Sequence, residues 1–315
     1  MNSTGETFEK AEEIAALNRF RLENPDLFQK DDFRLSLHLG TVLLLLFFFT
    51  VVIVKTPLLW IKILFGGVNS ILWFSLINVT LHHHHTHHNA AGRPFLKKLL
   101  DLLYVAVVPH APKRLNRYTR AHLNHHARPF HETDVDHHYG KDQYLRMKKN
   151  LWTRTLYFLE LTFVGGHVPG WEDDRYMNQI PLEEWKRRDY EKVKKEERKK
   201  ALRISLIQWG LFGIFAWIFP VVAWGWAFPM LLVKNWAHFL GQFQHYDERL
   251  TAPSRSVWNR TKTYQFPAWP NYLLGGEISG HFLHHLYPEL PYYKVESARQ
   301  RLLQDPELSR LFVTY

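Results

Sequence analysis

Residues 35–54 run almost unbroken through Leu, Phe and Val, and no other feature limits the folds open to the chain so strongly. About 20 helical residues, each rising about 1.5 Å, cross a hydrocarbon core of ~30 Å. Lys55, Thr56 and Pro57 make a short turn, and residues 58–81 form a second apolar run in which Gly66 and Gly67 permit close helix contact. Residues 201–219 and 221–242 repeat the arrangement, parted at Pro220, with Gly225 and Pro229 bending the last run. The sequence predicts an all-α membrane protein of four transmembrane helices in two hairpins. Whole-chain hydropathy is slightly negative only because very apolar blocks alternate with very charged ones.

The charge is +10. Lys and Arg cluster between the apolar runs, as the positive-inside rule predicts for cytoplasmic loops, which favours a membrane protein over a nucleic-acid binder. Residues 1–34 are polar and helix-prone, with no basic segment leading into a short apolar core and no small-residue cleavage site; they read as a cytoplasmic surface helix, not a signal peptide. Residues 82–200 and 243–315 then form a cytoplasmic helical cap over the spans at 35–54, 58–81, 201–219 and 221–242. Within the cap, 95–108 is apolar for about 14 residues, too short to span, which predicts an interfacial or re-entrant helix. The charged stretch 183–203 reads as a solvated helix near the membrane.

The chain has 20 histidines and no cysteine. Without cysteine there are no disulfides, iron–sulfur clusters or thiolate zinc sites. Six histidines fill residues 82–88 around Thr86, at the end of the second apolar run. His122, His125 and His126 form a second group, and His281, His284 and His285 a third. A helix brings positions three and four apart onto one face. That spacing pairs His84 with His88, or alternatively His83 with His87, and gathers each later group about one point. Eight imidazoles exceed what one metal accepts, so two metals sharing a site is the economical reading. Imidazole suits iron, zinc, copper and nickel alike. His38, His110 and His167 read as packed or interfacial, and His131, His137 and His138 as surface residues.

The order His-x-x-x-His, His-x-x-His-His, and a late His-x-x-His-His resembles the integral-membrane fatty acid desaturase and hydroxylase superfamily. Thr133-Asp134-Val135-Asp136 is similar to the segment that follows the second box in desaturases. His285-Leu286-Tyr287-Pro288-Glu289-Leu290-Pro291-Tyr292-Tyr293 is similar to the family's ending after the third. The resemblance covers roughly residues 35–294 and implies a desaturase-like membrane domain over 35–315, preceded by the segment 1–34.

What the resemblance implies is a non-haem diiron centre with dioxygen as co-substrate. Its ligands would be His84, His88, His122, His125, His126, His281, His284 and His285, with no catalytic residue beyond the metal ligands. A further ligand near the end of the fourth span would be His238, preferred over His245 because Asn235 precedes it, although the spacing is one residue short. Asp134, Asp136, Asn235 and Glu277 are candidate partners that orient ligand imidazoles through their second nitrogen. The implied activity is insertion of a double bond into a fatty acyl chain or related lipid. A hydroxylase or ketolase of the same superfamily is the alternative, and a membrane metal transporter or storage protein the non-enzymatic one. The chain carries no haem, flavin or ferredoxin motif, so electrons would come from a separate ferredoxin or cytochrome b5 type donor. The setting implied is a bacterial inner membrane or the endoplasmic reticulum, with both termini and the centre cytoplasmic.

Overall fold

A computed structural model of the chain describes residues 3–107, 119, 122, 123, 125, 126, 150–153, 155, 156, 190–233, 264 and 266–309. Among these the fold is helical, with no strand.

The long apolar helices come first. Helix α2 (Asp32–Lys55) starts at Asp31, whose carboxylate accepts from the N–H groups of Phe33 and Arg34. Leu35, Leu39, Val42 and Leu46 recur at helical spacing and face Leu72 and Leu76 of α3 (Leu59–Ile77). Thr56, Pro57 and Leu58 join the two helices, and Asn69 Nδ2 donates to Thr50 Oγ1 across them at 3.1 Å. By length and composition both α2 and the continuous helix Leu59–Thr86 can cross a membrane. His38, expected to be packed, is fully buried on α2 with Nε2 3.2 Å from Ser75 Oγ.

Helix α4 (Pro94–Val107) lies within one residue of the short apolar run read from sequence. Leu96, Leu100 and Tyr104, each one turn apart, are buried, while Phe95, Leu102 and Val105 stay exposed. From Tyr190 onward the charged stretch continues into the third apolar run as one helix, α5 (Tyr190–Ile218). Phe219 ends it, and Pro220 opens α6 (Pro220–Val233), where its missing N–H costs no hydrogen bond. Among the described residues, the apolar portions of α5 and α6, Trp209–Ile218 and Pro220–Val233, are shorter than a full span. Ala223–Ala227 within α6 is a π turn, so the bend expected at Gly225 is a wide turn in the ladder. Small residues mark the contacts of α6: a Cβ on Gly225 would stand 2.8 Å from Thr50 Cγ2, and one on Gly66 2.5 Å from the Phe228 ring. Gly67, by contrast, faces open space. Leu44, Phe47, Trp60, Leu64, Trp217 and Val221 are exposed on α2, α3, α5 and α6, an apolar exterior of the kind a membrane covers.

The C-terminal part packs short helices under this assembly: α7 (Ala268–Leu273), α8 (Glu277–Leu286) and α9 (Val295–Gln304). Helix α1 (Ser3–Glu23) is more than the surface helix expected from its polarity. Ala16 and Phe20, one turn apart, are buried against Phe282, Leu283, Tyr287 and Leu302.

Candidate metal centre

The first histidine segment is not α-helical. From Asn78 to Thr86 the chain beyond α3 forms a π-helix, and the His87 N–H donates to the His82 carbonyl at 3.1 Å. This i to i+5 spacing replaces the i to i+4 spacing assumed from sequence. It sets His82 and His87, not His84 and His88, toward the later histidine groups. His88 ends the segment in the left-handed region at φ 53°, which His enters more readily than most side chains. Its Nδ1–H donates to the His84 carbonyl at 3.0 Å. The next residue, Asn89, closes the helix end through its N–H to the His83 carbonyl at 2.9 Å. Its side-chain amide ties this end to the Pro288 and Leu290 carbonyls at 2.9 and 3.0 Å.

Helix α8 presents the third group. Gly275 and Gly276 have φ of 70° and 76°, the left-handed turn that glycine permits and a Cβ strains. Asn271 then caps α8, its Oδ1 accepting from the Ile278 and Ser279 N–H groups at 3.1 Å each. His281, His284 and His285 follow at helical spacing.

Five imidazoles meet at one point, His82, His87, His122, His126 and His284, with one ring nitrogen from each within 4.8 Å of the others. His125, His281 and His285 meet at a second. Nε2 atoms stand close together in His82–His284 at 2.7 Å, His126–His122 at 2.8 Å, His87–His122 at 3.1 Å and His281–His285 at 3.2 Å. Two nitrogens bound at right angles to one metal at about 2.1 Å lie roughly 3 Å apart. The donors therefore fit metal ions at both points. The His126 ring stacks on His285 with centroids 4.2 Å apart, so the two groups adjoin. Each His-x-x-His-His box is shared: His122 and His126 serve the first group and His125 the second, while His284 serves the first and His281 and His285 the second.

Burial holds His122, His126 and His284 well below the ordinary imidazole range, and neighbouring imidazoles add to it. They are neutral near pH 7, the state that binds metal. Asn78 sets one ring further. Its Nδ2 donates to the Leu274 carbonyl at 3.4 Å, which turns Oδ1 toward His82 Nδ1 at 2.8 Å. His82 then donates from Nδ1 and leaves Nε2 for a metal.

The other expected residues fall elsewhere. His83 donates from Nε2 to the Gly275 carbonyl at 3.1 Å, and His84 Nε2 lies 2.9 Å from Asp101 Oδ1. His88 is exposed. Of the alternatives, His87 joins the five and His83 does not. His238, His245, Asn235, Asp134, Asp136 and the side chain of Glu277 lie outside the described residues, as do His110, His131, His137, His138 and His167. The structure brings together two residues not singled out from sequence, His82 in the first group and Asn78 beside it. Only a run of four histidines, which holds every register, hinted at His82.

Comparison with family models matches residues 58–315 to the one described as fatty acid desaturase. Comparison with curated proteins gives no match.

Proposed function

The chain belongs to the fatty acid desaturase family, and from that footing we propose that it inserts a cis double bond into a fatty acyl chain, using dioxygen and two histidine-held irons. The family supports a desaturase- or hydroxylase-type oxidoreductase that acts on lipid and associates with a membrane. The finer reading rests on one observation: three separate segments deliver eight imidazoles to two adjoining points. In this reading His82, His87, His122, His126 and His284 hold one iron. His125, His281 and His285 hold the other, and His238 supplies its fourth ligand.

Bound iron supplies the dioxygen activation that an unactivated C–H bond requires. The balance is a saturated chain, one dioxygen, two electrons and two protons giving an alkene and two waters. The histidines would hold the metals, Asn78 keeps His82 in one tautomer, and the buried setting would keep bulk water from the reacting carbon. An alkyl chain seated among the apolar helices would present one carbon pair to the centre. Electrons come from a separate ferredoxin or cytochrome b5 type protein. The topology we propose is four spans, at 35–54, 58–81, 201–219 and 221–242, with both termini and the centre on the cytoplasmic face.

The test is lipid profiling of a host expressing the chain beside a His284→Ala control, under oxygen-18. A new unlabelled alkene found only with the wild type is the expected product. Label retained in an alcohol would transfer the assignment to a hydroxylase. Purified protein with far less than two irons would remove the diiron reading.

A further inference from the structure

A third set of metal-competent side chains stands on another face of the π-helical segment, away from the paired groups. We propose that His84, His85 and Asp101 form a separate, mononuclear zinc site that fastens the first histidine segment to α4. Oδ1 of Asp101 lies 2.9 Å from His84 Nε2 and 3.5 Å from His85 Nε2. The three ligand atoms are all within 4.8 Å of one another. Ligands on one zinc at about 2.0–2.1 Å stand roughly 3.0–3.5 Å apart, so small shifts complete the site.

Four features favour a site over a simple ion pair. Neighbouring residues on a helix usually point apart, yet the His84 and His85 rings are 4.7 Å apart by centroid. Asp101 and Tyr104, one turn apart on α4, hold them there, with the Tyr104 ring 4.5 Å from that of His85. His85 Nε2 is shielded from solvent and makes no hydrogen bond among the described residues. Lys97 and Lys98 sit four and three residues before Asp101, within helical reach of it. The described ion pairs nonetheless place this carboxylate on the two imidazoles. Two imidazoles and a carboxylate suit zinc, with water in the fourth position. Asp101 is 56% exposed, so the metal has a path from solvent.

The experiment uses full-length, iron-loaded protein in detergent, equilibrated with zinc sulfate and freed of loose metal. Zinc and iron per chain are measured by elemental analysis, and unfolding is followed by heat. The wild type is expected to take one zinc, keep its iron and melt at a higher temperature. Asp101→Asn keeps the shape and a hydrogen-bond acceptor, and His85→Gln removes one ligand; both are expected to bind zinc at least tenfold more weakly, with iron unchanged. No zinc uptake by the wild type, equal uptake by both variants, or uptake matched by iron loss would overturn the proposal. Because the readout is the difference between wild type and variants, it decides this site even if the paired groups hold no iron.

Discussion

Asn78 links two parts of the centre, since one side chain fixes the His82 tautomer and holds the turn before α8 through the Leu274 carbonyl. Replacing an outer partner of a ligand histidine typically weakens metal binding about 10–100-fold. Asn78→Ala is therefore expected to lose iron to a chelator about 10–100-fold more readily than the wild type, measured by competition. The proposed ligands are expected to differ more sharply. His82→Ala is expected to retain at most half the iron of the wild type by elemental analysis. His88→Ala, whose side chain lies on the surface and bonds the His84 carbonyl, is expected to keep all of it. The reverse pattern would restore the α-helical pairing of His84 with His88 and refute the π register.

At the scale of elements, what the sequence disclosed follows from what periodicity can encode. Apolar runs announce α2 and α3 because hydropathy adds up over many residues, and α4 falls within one residue of its expected place. The later boxes have helical spacing, and His125, His281 and His285 meet as a group, as do His122, His126 and His284 with the first segment. The first box defied this reading because a π turn has no signature in residue type. Four consecutive histidines satisfy any period, and the choice between them is made by packing of the segment on α4 and α8. The contact of α8 with α9 was equally hidden. A Cβ on Gly280 would overlap Val295 Cγ1. Overpacking of this kind costs about 1–3 kcal/mol. Gly280→Ala is expected to lower the thermal midpoint accordingly and to loosen iron at the adjacent His281. Adding Val295→Ala makes room for the new methyl and is expected to recover part of the loss. A double variant no more stable than Gly280→Ala would show that the penalty lies elsewhere.

Across the whole molecule, α1 packs against α8 and α9, and apolar burial and charge both act across that junction. Several ion pairs cross the junction: Arg301 with Asp26 at 2.7 Å, Arg19 with Asp305 and Glu307 at 3.2 and 3.1 Å, and Arg21 with Glu289 at 3.0 Å. Most of these side chains are well exposed, where water and salt cancel most of the attraction. Beneath them Phe20 is buried against Tyr287, ring centroids 5.8 Å apart, and Tyr287 donates from its hydroxyl to the Leu17 carbonyl at 2.9 Å. Truncating a buried Phe to Ala typically costs about 3–5 kcal/mol, far above an exposed pair. Phe20→Ala is thus expected to destabilise the protein strongly and Arg301→Ala hardly at all, compared by heat denaturation in the same detergent. The effect should reach the centre. Phe282 and Leu283, which share this cluster with Phe20, lie between His281 and His284 on α8. Loosening α1 is therefore expected to speed iron release in Phe20→Ala, while Arg301→Ala releases iron at the wild-type rate even at high salt. Equal effects of the two variants would mean that charge, not apolar burial, joins α1 to α8.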